Sequence, residues 1–222
     1  VCGGTIDSGE MTELFDMALA NADVAGFAKR KAESAENGKL RGIGFGMYLE
    51  QCGNGADDGV DIEFQDDGRV ILYGSQQCNG QGHQTTVTQI LSDRLGYDAD
   101  LITVKQGDSG RSPRGTTGGA RMTTVLGSAT AVAAAKIIDL ARPFAAKALE
   151  CGEDDLNFTD GLFLRRDTNR SIAIEGLVCQ LAISGEKHRL NWAQPYETDG
   201  ATYPYGCHII ELEIDRQTCA VD

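Results

Sequence analysis

The chain has 222 residues, and its 20 Lys and Arg against 33 Asp and Glu give a formal net charge of −13. A surface of that sign repels phosphate with no counterion release to offset the repulsion, so nucleic acid is not expected as a partner. Apolar residues at 41% and charged residues at 24% exclude disorder, and the 28 glycines, nearly double the usual share of about 7%, cluster as backbone-lined sites do.

The most apolar long stretch, Thr123 to Leu149, is interrupted by Lys136, Asp139, Arg142 and Lys147, so no membrane span is expected. No basic run followed by an apolar core opens the chain, so no signal peptide is expected either. The seven cysteines are odd in number and lack a CxxC pair. They read as reduced thiols of a cytoplasmic protein. Val1 is not expected to be the natural start, and the chain is expected to continue past Asp222.

In chain order, Met11, Leu14, Phe15, Ala18, Leu19 and Ala22 share one helical face. They predict a single helix from Ser8 to Asn37, with Asp7 and Glu10 as its cap and Gly38 as its left-handed stop. Gly42–Glu50 reads as a strand. Val60–Phe64 and Arg69–Tyr73 read as a hairpin around Asp66-Asp67-Gly68. A helix is predicted over Gln84–Leu95, with Val87, Ile90, Leu91 and Leu95 inward and Gly96 as its stop, followed by a short strand at Leu101–Lys105. The next helix is predicted to begin after Gly118 and Gly119, to pack closely through nine alanines between Ala129 and Ala148, and to kink or restart at Pro143. Short strands at Leu156–Phe158, Leu162–Leu164, Arg189–Gln194 and His208–Ile214 flank a helix near Ile172–Leu181. The class is α+β, with mixed sheets packed against helices. A subdivision near residue 150 would separate residues 1–150 from a small α+β part, residues 151–222. Glu211 and Glu213 read as a solvated strand face.

Two segments carry the chemistry. Gly74–Thr86, GSQQCNGQGHQTT, leaves a strand, passes through Gly80-Gln81-Gly82-His83 and opens onto a helix. Glycines at such a junction free consecutive N–H groups for an anion, and the helix dipole adds to the attraction. Gln77 and Gln81 are candidate amide donors and acceptors. An ordinary strand-to-helix turn is the alternative. Gly107–Met122, GDSGRSPRGTTGGARM, has the same grammar, with Arg111, Arg114 and Arg121 making a local charge opposite to the global one. Two such junctions would embrace a ligand with two phosphates; a mobile surface loop is the alternative here. The sequence offers neither a GxGxxG nor a GxxxxGK motif, and His83, His188 and His208 form no metal-binding pattern.

Taken together, GQGHQT, the GDS after the next strand and the TGGAR opening an Ala-rich helix resemble the molybdenum hydroxylase large subunit family, which includes xanthine dehydrogenase, aldehyde oxidase and aerobic carbon monoxide dehydrogenase. The resemblance runs from Thr5–Asp23 through Arg41-Gly42-Ile43-Gly44 and Tyr48-Leu49-Glu50 to Tyr203-Pro204-Tyr205-Gly206 and Glu211–Asp215. It implies part of a molybdopterin-binding domain of a larger subunit. Gly80, Gln81, Gly82 and His83 would match the family's first cofactor loop, and Gly118, Gly119 and Arg121 its second, with Ala120 where the family usually has Ser. The implied cofactor is a molybdopterin dinucleotide, in its cytosine form, with molybdenum in the intact enzyme. Implied partners are the remaining parts of the large subunit and iron-sulfur and FAD subunits or domains. The implied activity is oxidation of carbon monoxide, an aldehyde or a heterocycle with water as oxygen source.

The family's earlier glycine-phenylalanine loop, its substrate loop and its late glutamate base are not in this sequence. No catalytic residue and no metal ligand is therefore assigned, the chain alone is expected to be inactive, and cofactor need not bind to it alone. A non-catalytic ligand-binding or interaction domain on the same scaffold is the rival reading. Replacing Arg121 with Ala is expected to weaken binding without disturbing the fold, and surfaces left uncovered are expected to make the chain self-associate.

Overall fold

The computed structural model describes Ile6 and residues 9–53, 57–113 and 115–222. In chain order its regular elements are α1 (Met11–Asn21), α2 (Phe27–Glu36), β1 (Lys39–Leu49), β2 (Asp57–Phe64), β3 (Val70–Gly74), α3 (His83–Leu95), β4 (Ile102–Gln106), α4 (Ser128–Leu149), β5 (Leu156–Thr159), β6 (Leu162–Arg165), β7 (Ser171–Ala173), α5 (Ile174–Ile183), β8 (Trp192–Glu197) and β9 (Tyr205–Asp215). The content is α+β, as expected. The chain divides into two compact units, residues 1–51 with 202–222, and residues 52–201; residue 150 lies within the second, at the C-terminal end of α4.

In the first unit, the single helix expected from Ser8 to Asn37 is two helices. Asp23 adopts φ 45° and its Oδ1 accepts the Gly26 N–H at 3.2 Å, opening a short 3-10 turn, Val24–Gly26. Arg30 then clasps Asp23, reaching Oδ2 at 2.6 Å and the carbonyl at 3.0 Å. An Asp that bonds its own neighbouring backbone competes with helical hydrogen bonding, and here it wins. The expected cap residue Asp7 lies outside the described residues; the Glu10 N–H donates to the Tyr205 hydroxyl at 2.9 Å. Gly38 stops α2 with φ 75°, as the pattern predicts.

Strands β1 and β9 pair antiparallel from Lys39↔Asp215 to Leu49↔Tyr205. Glu211 and Glu213 do not face solvent as a bare strand edge would. Arg30 donates to Glu211 at 3.0 and 2.7 Å, Arg41 reaches Glu211 and Glu213 at 2.7 Å each, and Lys39 and the Ser34 hydroxyl reach Glu213 at 2.6 Å. These charge-assisted bonds hold both carboxyl groups down at about 2. After β9 the chain turns back, and Asp222 exchanges two backbone hydrogen bonds of 2.9 Å with Glu213.

The second unit is built on a four-stranded sheet of order β4-β3-β2-β8 and a three-stranded antiparallel sheet, β5-β6-β7. The hairpin β2–β3 forms as the turn residues predict, with Gly68 at φ 81°. Val60, Ile62, Phe64, Val70, Leu72 and Val104 bury one sheet face beneath α3 and α4, whose inward residues are Val87, Leu91 and Leu95 and an alanine-rich stripe, Ala129, Ala133, Ala134, Ile137, Ala141 and Ala145. By length and composition the helical stretch Thr123–Leu149 is apolar enough to cross a membrane; half of its most apolar window is buried within the protein.

Helix α4 runs through Pro143 without restarting, and its entry is a π-helical turn, Thr123–Gly127, rather than regular helix from residue 120. The strand expected at Arg189–Gln194 begins later. Lys187–Leu190 forms a 3-10 turn because Leu190 is buried and Asn191 turns its side-chain oxygen to the Phe64 N–H at 2.9 Å. The six cysteines among the described residues are unbridged.

Candidate cofactor-binding site

Strands β3 and β4 are parallel neighbours, Gly74 lying opposite Gln106. Each ends in a glycine loop that runs into a helix, so both loops leave the same edge of the sheet side by side. This is the geometry in which open sheets place ligands, outside the carboxyl ends of parallel strands. The first loop is residues 75–82, with Gly82 at φ 76° directly before α3. The second is residues 107–122, with Ala120 and Gly119 left-handed at φ 46° and 55°. The Thr117 hydroxyl donates to the Gln77 carbonyl and ties the loops together.

Between them lies a cavity of about 410 Å³ lined by Gln76, Gln81, His83, Thr86, Thr117, Gly118 and Arg121 among others. Of the residues expected from the sequence, Gln81, His83, Gly118 and Arg121 therefore share one cavity. Gly80, Gly82 and Gly119 shape the loop backbones and do not line it. A second, larger hollow of about 730 Å³ adjoins the same loops, lined by Ser75, Gln77, Asn79, Asp108, Ser112 and Thr116 among others.

The backbone N–H groups of Gly80, His83, Gly82 and Gln81 hold the Cys78 thiol below the ordinary value, because N–H dipoles favour negative charge. His83 is 3% exposed, and burial pushes its imidazole toward the neutral form. Among the described residues its Nδ1 has no hydrogen-bond partner, and neither has Gln76 Oε1, although Gln76 is fully buried. Buried polar atoms are rarely left so, and both belong to residues of the cavity wall.

Two of the three expected arginines depart from their expected place, and Arg114 lies outside the described residues. Arg111 lies over the Tyr73 ring with 4.5 Å to the centroid and pairs with Glu63 and Asp61 on β2. Arg121 gives Nε and Nη2 to Asp58 Oδ2 at 3.2 and 2.9 Å and Nη1 to the Thr116 hydroxyl at 3.1 Å. The Asp58 side chain is fully buried. The acidic residues of β2 thus neutralise much of the positive charge the loop shows in sequence. The expectation that Arg121 could be truncated without disturbing the fold does not survive this pairing, because removal would leave a buried carboxylate without its cation.

Sequence reasoning missed Asp58 and Gln76. It selected Gln77, which is exposed, over its buried neighbour. The signal was present in parity: Gln76 follows the buried Leu72 and Gly74 at the period of a strand.

The fold and paired loops define a cofactor-binding domain, and residues 17–222 match the molybdopterin cofactor-binding domain family, to which the chain belongs. It is 31% identical to the carbon monoxide dehydrogenase large chain of Hydrogenophaga pseudoflava over 97% of this chain and 29% of that one. It is 26% identical to the nicotine 6-hydroxylase large subunit of Paenarthrobacter nicotinovorans over 97% of this chain and 29% of that one. Among solved structures, the reconstituted CO dehydrogenase from Oligotropha carboxidovorans superposes with a TM-score of 0.82 at 28% identity, over 98% of this chain and 30% of that one. The chain thus spans under a third of the length of these relatives.

The residues present fit a molybdopterin-type group. A glycine loop opening onto the N-terminus of α3 suits phosphate, and the Gln76 oxygen, unpartnered among the described residues on the cavity wall, suits an N–H group of a heterocyclic ring.

Proposed function

We propose that this chain is the cofactor-binding portion of a molybdenum hydroxylase large subunit, carbon monoxide dehydrogenase-like or aldehyde oxidase-like. The intact enzyme would oxidise its substrate with water as oxygen source and pass electrons to iron-sulfur and FAD subunits or domains. The observation that carries the reading is the convergence of two glycine loops, from neighbouring parallel strands, on one cavity with unpartnered polar atoms.

When bound, the cofactor supplies the redox chemistry through its molybdenum; the residues of this chain bind and orient. Gln81 and His83, on the cavity wall and backed by the glycine backbone of the first loop, would hold the pyrophosphate of a dinucleotide cofactor in its cytosine form through their N–H groups. The Gln81 amide adds a side-chain donor. Gly118 and Gly119 would let the second loop approach closely, and Arg121 lines the cavity beside them with its guanidinium held by Asp58 and Thr116. Gln76 Oε1 and His83 Nδ1, unpartnered among the described residues, would be available to the ring system.

Gly118→Val tests this in the full natural chain. Gly118 lines the cavity, is not among the positive-φ glycines and has no atom of the described residues within 4 Å of an added Cβ, so the variant folds while filling the ligand's space. Molybdenum and cytosine nucleotide content should fall about tenfold, a loss of ~1.4 kcal/mol of binding, with the apo melting profile unchanged. Full occupancy would leave the loops as turns only and favour a non-catalytic ligand-binding or interaction domain.

A further inference from the structure

The two loops offer their ligand donors, yet the unpartnered atom of Gln76 is an acceptor, and a side chain outside the cavity lining accounts for the difference. Asp58 is 2% exposed and sits at the start of β2, where it is shared by both loops. From the first loop, Gln76 Nε2 donates to its Oδ2 at 2.6 Å. From the second, Arg121 donates twice to the same oxygen. The second loop also presses on the other oxygen: a Cβ on Gly115 would fall 1.8 Å from Oδ1.

A carboxylate only accepts, so Gln76 can meet it only with its NH2 group. The reverse orientation would set two acceptor oxygens against each other. The carboxylate therefore fixes which end of the amide is left over, and that end is Oε1, buried and without a partner among the described residues, on a residue that lines the cavity. The same carboxylate draws the Arg121 guanidinium toward itself, and the arginine is left 19% exposed.

Building on the cofactor reading of this cavity, we propose that Asp58 is a positioning residue that sets the polarity of the site: it turns Gln76 into an acceptor for an N–H-bearing ring and holds Arg121 back from the anionic part of the ligand. Recognition is thereby divided. The loop backbone serves the phosphates, the Gln76 oxygen serves the heterocycle, and the strongest local cation is restrained rather than free to capture any phosphate compound.

The division gives two effects of opposite sign in one variant. Asp58→Asn is close in shape, removes the charge and offers an NH2 that the Gln76 oxygen can take, so the Gln76 amide is free to turn its own NH2 to the cavity. In the full natural chain, the cofactor-loaded variant should lose pterin about tenfold faster, read by pterin fluorescence after oxidative release, as expected when a buried hydrogen-bond partner is removed. The apo variant should bind inorganic pyrophosphate about tenfold more tightly by calorimetry, because the released guanidinium adds a charge-assisted contact. Gln76→Leu keeps the Asp58–Arg121 pair, so it should lose pterin equally fast with pyrophosphate affinity unchanged.

A buried carboxylate with a merely structural role would lower both affinities together in Asp58→Asn, and that result overturns the proposal. Unchanged pterin retention in either variant overturns it as well, and the Gln76→Leu result stands even if Asp58→Asn does not fold. Wild-type protein that carries no pterin would instead overturn the cofactor reading itself.

Discussion

Arg121→Ala should destabilise the second unit before any ligand is considered. The Asp58 side chain is fully buried, and two of its hydrogen bonds come from Arg121. Removing one partner of a buried ion pair costs about 3–5 kcal/mol, because the remaining charge is neither paired nor hydrated. Gln76 still donates to Oδ2 at 2.6 Å, which places the loss at the lower end, about 3 kcal/mol. At roughly 2–4 °C per kcal/mol for a domain of this size, the melting temperature should fall by about 6–12 °C. Trp192, the sole tryptophan, lies on β8 in the same unit, so its fluorescence follows the transition directly. The double variant Asp58→Asn with Arg121→Met, which removes the charge and its partner together, should recover most of the loss. An Arg121→Ala protein that melts with the wild type, or a double variant as unstable as the single one, would refute the reasoning.

Acid should loosen the first unit. Glu211 and Glu213 are held at about 2 against an ordinary 4.5, so their contribution is complete above 4.5 and is lost as pH falls toward 2; hydrogen exchange at β1 and β9 amides should accelerate through that window. Ala120→Gly should stabilise the chain by about 1 kcal/mol in denaturant titrations, since Ala120 occupies the left-handed region at φ 46°. Gly96→Ala should cost more than the ~1 kcal/mol of a left-handed alanine, because the new Cβ would fall 2.3 Å from the Gly161 backbone; an equally stable variant would show that the turn moves freely. Cys78 should be alkylated faster near neutral pH than the exposed Cys179 and Cys219, and inorganic pyrophosphate should protect it; equal rates would mean that the first-loop N–H groups do not converge.

Much of this protein is written in features that act over a few residues. The inward face of α3, the stops at Gly38 and Gly96, the hairpin around Asp66–Gly68 and the two strand-to-helix glycine loops all follow from periodicity and turn chemistry, and the ordered motifs were enough to reveal the family resemblance. The break at Asp23 was harder to read, because helical periodicity resumes beyond it and the clasp that holds it comes from Arg30, seven residues on. Tertiary structure alone decided the rest. Pairing of β1 with β9 joins residues from the two ends of the chain, and that register is what turns Glu211 and Glu213 onto Arg41 and Lys39. In the second loop, the sequence shows an excess of positive charge but cannot show which acidic side chains face Arg111 and Arg121. Strand β2 places Asp58, Asp61 and Glu63 opposite Arg121 and Arg111, and the pairing of charges depends on distance through space, which no local pattern encodes.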